Sequence, residues 1–389
     1  MQKNVLTKVA KEFGTPIYVY DESIIEKQCK LLVRALPRAA FHYACKANSN
    51  PRILAVIRKA DIGIEAVSVG ELKLAKAIGF QKQQISFTCS NLTEAELRHA
   101  AKLSGRVHLD SLHQIELWGK HKLGKHISLR LNQGVGAGHH EHVITGGPDS
   151  KFGIALPDIP RAKAIAKKYG LVISSLHQHI GSNILDEFIM LKAVQVLLKT
   201  AAQFSDVRHL DFGGGFGVPY QLADSFLDLK KFARKLNPLI NTFERRGSKI
   251  SYSFEPGRFL VAEAGMLLVQ VVDTKRTGKH IFVGVNSGFN HLMRPVMYGA
   301  YHCIENISRS RGTHAKITIA GNICESGDIF AKNRVMLMPK LGDILAIQNT
   351  GAYGMSMAST YNMRALPREV LITRGDKSKE ISFSKAKYL

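Results

Sequence analysis

Along most of this chain, short apolar runs alternate with segments whose apolar residues recur every three to four positions. The runs fall near 41–44, 62–67, 85–88, 107–109, 127–131, 172–176, 209–212 and 252–254. Between them the spacing predicts helices over 51–59, 71–78, 93–103, 111–118, 159–169, 187–202 and 226–245. A further helix over 22–36 is stopped by Pro37. Strand and helix alternating through about 240 residues predict a (β/α)8 barrel, with a doubly wound parallel sheet as the alternative.

The texture differs at both ends. A helix over 5–13 is broken by Gly14-Thr15-Pro16 ahead of an alternating strand at 17–20. From about Gly265 onward, strands follow one another without long helices, at 266–272, 280–285, 315–320, 343–347, 369–373 and 380–383. These form a second, C-terminal β domain, completed by the strand at 17–20. The expected division is a barrel over 22–262 and a β-rich domain from 1–21 plus 263–389.

In a barrel of this kind the chemistry gathers at the C-terminal ends of the strands. Those ends carry Lys46, Glu65, Ser68, Ser90, Asp110, Arg130, His179, Ser182, Gly213 to Gly217, Glu255 and Arg258. Lys46 follows the run Phe41-His42-Tyr43-Ala44-Cys45, where buried surroundings would lower its ammonium pKa and free an amine able to attack a carbonyl. A solvated loop lysine is the alternative for Lys46 taken alone.

Composition narrows the class. The chain has 389 residues, 45% hydrophobic and 22% charged, which are globular values. No stretch approaches the length of a membrane span, and the basic, amphipathic start lacks the apolar core of a signal peptide. A cytoplasmic protein with no membrane partner is expected. Five scattered cysteines without CxxC spacing argue against a disulfide framework or a zinc site. The net charge of +23 raises nucleic acid as a partner, but the basic residues are spread along helices with no RNA-binding signature, and none is expected. The insertion at 134–147 is rich in Gly and His and reads as an active-site loop; His139, His140 and His142 lack acidic or thiolate companions, so no metal is expected.

Further motifs carry chemistry. Gly213-Gly214-Gly215-Phe216-Gly217 after a strand would bare backbone N–H groups to a phosphate, or form a tight turn. Glu255-Pro256-Gly257-Arg258 offers a carboxylate able to keep a pyridine nitrogen protonated, with a guanidinium for phosphate or carboxylate; a structural ion pair is the alternative. His179 and Ser182 supply a flat imidazole and a hydroxyl. Cys324, flanked by Glu325 and Asp328, would have a raised thiol pKa suited to proton donation.

Together these segments resemble one family. Tyr43 to Asn50, Ser150-Lys151-Phe152-Gly153, His179-Ile180-Gly181-Ser182, Gly213 to Gly217, Glu255 to Arg258, Cys324-Glu325-Ser326-Gly327-Asp328 and Gly351-Ala352-Tyr353 are similar, in order, to the diaminopimelate decarboxylases. These are alanine-racemase-like, pyridoxal-phosphate-dependent enzymes, and the likeness runs from about Phe13 to Ile372. It implies decarboxylation of meso-2,6-diaminopimelate to L-lysine and CO2, the last step of lysine biosynthesis, with pyridoxal 5'-phosphate as cofactor. It also implies roles. Lys46 would hold the cofactor covalently, Glu255 would face its ring nitrogen, and His179 would stack on the ring. Ser182, Gly214, Gly215 and Tyr353 would hold the phosphate. Cys324, supplied by the neighbouring subunit of a homodimer, would reprotonate the α-carbon. Arg258, Arg294, Tyr298 and Glu325 would clamp the far end of the substrate.

Some positions depart from the family pattern: Asn286-Ser287 where Asp-Ala is frequent, Glu65 for Asp, and Val69 for glycine. They bear on substrate preference. Three other readings stand beside this one: a related decarboxylase for D-ornithine, D-lysine or carboxynorspermidine, an alanine racemase, and a non-catalytic regulatory relative. Arg258, Arg294 and Glu325 speak against the first, Cys324-Glu325-Ser326 against the second, and the presence of both Lys46 and Cys324 against the third.

Overall fold

A computed structural model of the chain describes residues 1–134, 150–245, 247 and 249–388. The chain divides into two compact units, one of Gln28–Val218, Ser225–Phe259 and Ser384–Leu389, the other of Met1–Lys27, Pro219–Asp224 and Leu260–Phe383. Most of the insertion at 134–147, including His139, His140 and His142, lies outside the described residues.

The larger unit is the closed barrel. Its eight parallel strands are Ala39–Ala44, Gly63–Ala66, Ile85–Thr88, Arg106–Leu109, His126–Asn132, Val172–His177, His209–Asp211 and Ser251–Phe254. Each pairs with the next in the chain, and the last returns to the first, with Tyr252 opposite Ala39 and Phe254 opposite Phe41. All eight correspond to the apolar runs. The helices start where short polar residues accept the first free backbone N–H groups. Asn50 accepts from Arg52, with Pro51 in the first turn. Thr93 and Glu96 make a reciprocal box. Asp228 accepts from Lys231, so the helix predicted from 226 begins at Leu229.

Two layers follow from the alternation along each strand. Leu109, Leu176, Leu210 and Phe254 are buried in the apolar outer layer, where the rings of Phe212, Phe216 and Phe232 lie 5.3 to 5.9 Å from that of Phe254. The interleaved residues are polar and bond to one another across the ring. Arg106 Nη1 lies 3.1 Å from His209 Nε2, His108 Nδ1 2.7 Å from Ser128 Oγ, and Ser253 Oγ donates to Asp211 Oδ2 at 2.6 Å. Barrels usually fill this space with Val, Ile and Leu. Here a buried histidine, carboxylate and arginine cluster takes their place, which is sustainable only because most of its members are paired.

The smaller unit is a mixed sheet. Its main path runs Ile329–Leu337, His314–Ala320, His280–Val285, Gly265–Thr277, Ile17–Asp21, Arg368–Thr373, Lys377–Glu380. Ile344–Ile347 joins it against Gly265–Thr277. The strand Ile17–Asp21 is antiparallel to Gly265–Thr277 and parallel to Arg368–Thr373. The helix Lys3–Phe13 lays Leu6, Val9 and Ala10 on Ile17, Val19, Leu268, Ala346 and Val370. Each of the Leu, Val and Ile side chains contributes about 1.5–3 kcal/mol when fully buried.

Three elements of this sheet differ from the pattern-based expectation. Ile329–Leu337 was not foreseen, because Lys332, Asn333 and Arg334 interrupt its alternation and Asn333 bends it with a φ of 52°. Ile304–Asn306 has too few residues to show a period. The strand expected at 380–383 lies instead at Lys377–Glu380, an exposed polar edge that pairs through its backbone and has no apolar face to read. Among the described residues no helix is long and apolar enough to cross a membrane.

Candidate active site

The C-terminal ends of the barrel strands bring Lys46, Glu65, His179, Ser182, Gly213 to Gly215, Glu255 and Arg258 together in the larger unit. Lys46 sits in a single turn of 3-10 helix, Cys45–Ala47, just past its strand. Its neighbours Ala44, Cys45 and Ala47 are buried, but its own side chain is 41% exposed. The expectation of a buried, low-dielectric lysine is therefore corrected: the turn carries the ammonium out of the strand layer into the open mouth, where it lies 3.7 Å from the buried carboxylate of Glu65.

Glu255 is the most constrained group of the site. Its backbone N–H donates to Gly213 O at 2.9 Å, and its side chain is buried. Burial first, and the Glu65 carboxylate second, push its carboxyl well above the usual range, while Lys46, Arg130 and Arg106 oppose that. His177 Nε2 lies 3.0 Å from Oε2, within hydrogen-bond distance. Oε1 is buried and has no hydrogen-bond partner among the described residues. The donor atoms of His108, His177 and Glu255 lie within 4.8 Å of one another, close enough to share a metal ion.

His179 is half-buried, with its Nδ1 accepting the Gly214 N–H at 3.2 Å. Burial, aided by Lys46, holds its pKa well below the usual histidine value, so the ring is neutral and its remaining proton is on Nε2. Arg258 is buried and its Nη2 donates to Ser182 Oγ at 3.0 Å, which ties the EPGR segment to the HIGS segment.

The glycine run is a packed turn more than a bare row of donors. Besides the bond from Gly214 to His179, Gly213 donates to Asp211 Oδ1 and Gly217 to Ile184 O. Gly213 has a φ of +70°, and a β-carbon there would come within 2.2 Å of Gln178 O. Gly213→Ala should therefore destabilise the protein by about 2 kcal/mol or more through left-handed strain and backbone collision. A circular-dichroism melting midpoint equal to that of the unaltered protein would contradict it.

Arg294, Tyr298, Cys324, Glu325 and Tyr353 lie in the smaller unit. Arg294 is buried, with its guanidinium 4.6 Å above the Tyr220 ring and Nη1 2.9 Å from His302 Nε2. Tyr298 is half-buried at the end of the short helix Arg294–Tyr298. Tyr353, also half-buried, takes a φ of 56°.

Cys324 is exposed. The carboxylates expected to flank its thiol point elsewhere, a second correction. Asp328 turns inward to accept the N–H groups of Phe289 and Ile323 at 2.6 and 2.7 Å, and Glu325 accepts from Tyr361 Oη at 2.7 Å. Backbone N–H groups beside Asp328 outcompete a thiol four residues away, and the Tyr361 hydroxyl does the same for Glu325. The Cys324 N–H in turn donates to Asn362 Oδ1.

Sequence reasoning passed over His177, His108, Tyr220, His302 and Tyr361. His177 could have been found, since it precedes His179 by two positions and so shares its face of an extended segment. His108, Tyr220 and Tyr361 meet their partners 20 or more positions along the chain, and His302 meets Arg294 eight positions away.

Residues 22–262 match the family model described as pyridoxal-dependent decarboxylase, pyridoxal binding domain. The chain is 40% identical over 381 residues to the diaminopimelate decarboxylase of Methanothermobacter thermautotrophicus, covering 95% of this chain and 89% of that one. It is similar to a crystal structure of diaminopimelate decarboxylase with a TM-score of 0.90 at 35% identity, covering 97% of this chain and 92% of the other. The Helicobacter pylori diaminopimelate decarboxylase, solved in complex with L-lysine, gives a TM-score of 0.89 at 31% identity and covers 98% of both chains.

Proposed function

The chain belongs to the diaminopimelate decarboxylase family of pyridoxal-dependent decarboxylases, and from that premise we propose how its residues divide the reaction. The protein is a pyridoxal-phosphate-dependent decarboxylase that converts meso-2,6-diaminopimelate to L-lysine and CO2. When bound, the cofactor supplies an electron sink for the pair left on the α-carbon as CO2 departs.

The residues of the barrel fit that group. Glu255 presents a buried acceptor, Oε1, that no described residue satisfies, and a protonated pyridine nitrogen is the donor such an atom needs. Lys46 would hold the cofactor covalently through its side-chain amine. His179 offers a neutral ring face, oriented by the Gly214 N–H. Ser182, fixed by Arg258, takes the phosphate with Gly214, Gly215 and Tyr353.

Cys324 delivers the proton that the α-carbon takes up once the carboxylate has left. Arg258 and Arg294 hold the distal carboxylate while Glu325 and Tyr298 hold the distal amino end, so a substrate lacking either group leaves charges unpaired. The functional division we favour is a cofactor-binding barrel over 22–262 and a β-rich domain of 1–21 plus 263–389. Cys324 serves the site of a second copy, which makes the working form a homodimer, and the cytoplasm its location.

The observation that carries this reading is the half-satisfied Glu255 carboxylate beside Lys46 and His179 at the barrel mouth. It is tested by measuring lysine and CO2 release from meso-diaminopimelate, with D-ornithine, D-lysine and carboxynorspermidine in parallel. Lysine formed from diaminopimelate alone supports it. Preferential release of another amine would leave the cofactor chemistry in place and remove Arg294 from the clamp.

A further inference from the structure

The polar interior of the barrel holds titratable side chains that the proposed roles do not use. His177 ends the strand Val172–His177, and its Nε2 lies 3.0 Å from Glu255 Oε2. The ring of His108, from the strand Arg106–Leu109, packs against it with centroids 4.2 Å apart and an interplanar angle of 31°. His108 Nδ1 is anchored 2.7 Å from Ser128 Oγ, which fixes the ring from behind. Its Nε2 stands 4.0 Å from both Asp211 Oδ2 and Glu255 Oε1, too far for a hydrogen bond to either. All four groups are buried.

Burial pulls His177 down to about 4, so near neutral pH it carries one N–H. With Nδ1 buried and unpartnered among the described residues, and Nε2 against a carboxylate oxygen, that proton belongs on Nε2. The bond takes one oxygen of Glu255 and leaves the other for the mouth of the barrel. A core histidine serving stability alone has no reason to face an acid it only half satisfies, in a cluster where hydrophobic residues would pack as well.

We propose that His177 is a positioning residue for Glu255: its Nε2–H pins Oε2 so that Oε1 is presented to the ring nitrogen of the bound cofactor, and His108 braces His177 in that orientation. This rests on the role given to Glu255 above and adds the group that sets its geometry. Both histidines lie on barrel strands, which hold such an arrangement more rigidly than loops.

The test uses the full-length holoenzyme with His177→Leu, His177→Gln and His177→Asn. The amide nitrogen of glutamine reaches where imidazole Nε2 stands; that of asparagine reaches only as far as Nδ1. His177→Leu is expected to lower kcat about 100-fold with KM for meso-diaminopimelate within about twofold, and to shift the visible absorbance band of the bound cofactor. His177→Gln should bring kcat within about tenfold of the unaltered enzyme and restore its band, and His177→Asn should not. Should the leucine variant fail to fold, the contrast between Gln and Asn decides. Equal bands and equal kcat in those two would overturn the proposal, as would a folded leucine variant with unchanged band and kcat. An unaltered protein that neither binds the cofactor nor releases lysine defeats the reading of Glu255 itself, and the proposal with it.

Discussion

Lys46→Ala should abolish lysine and CO2 release, with kcat falling by about 10^3-fold or more, because the variant lacks the amine proposed to hold the cofactor. Lys46→Arg separates the two things that the side chain contributes. It keeps a cation 3.7 Å or so from Glu65, and with it the charge balance around Glu255, but supplies no nucleophile. Both variants are expected to be equally inactive, and Lys46→Arg should melt as the unaltered protein does. An arginine variant with more than about a tenth of normal turnover would show that Lys46 acts through its charge alone. The exposure of Lys46 does not weaken the expectation. The same projection from the strand layer that takes it out of the core leaves its amine accessible to cofactor and substrate.

Cys324→Ala should retain bound cofactor, read as an unchanged visible absorbance band, and lose about 10^2- to 10^4-fold in turnover, the range for removal of a proton donor acting at the reacting atom. Its exposure makes the substitution structurally mild. Its backbone N–H, the tie to Asn362, is untouched by truncation. Normal turnover would take Cys324 out of the mechanism. The same variant tests the shared site. Unfolding and refolding an equal mixture of Lys46→Ala and Cys324→Ala chains should restore about a quarter of normal activity, since half of the dimers are mixed and each of those has one intact site. No restoration would mean that each chain uses its own cysteine.

The division between what was legible along the chain and what was not follows a physical line. The barrel was legible because each strand and helix is specified within its own ten to fifteen residues: Asn50-Pro51 starts a helix whatever lies elsewhere. The β unit was less so. Lys377–Glu380 and Ile329–Leu337 are strands because the backbone of the preceding strand pairs with them, while their own polar residues leave little alternation to read.

The site shows the same line more sharply. Residue identities alone nominated the side chains proposed for the chemistry, since Lys46, Glu255, His179 and Cys324 sit in motifs whose order and spacing are local properties of the chain. Their surroundings came only with the tertiary structure. It turned Asp328 away from Cys324 toward Phe289 and Ile323, gave Glu325 to Tyr361, and brought His177 against Glu255 and His108 against His177. A side chain's type is carried by its own codon, but its charge state and direction are set by partners far along the chain, 78 positions apart for His177 and Glu255, and those are fixed only when the barrel closes.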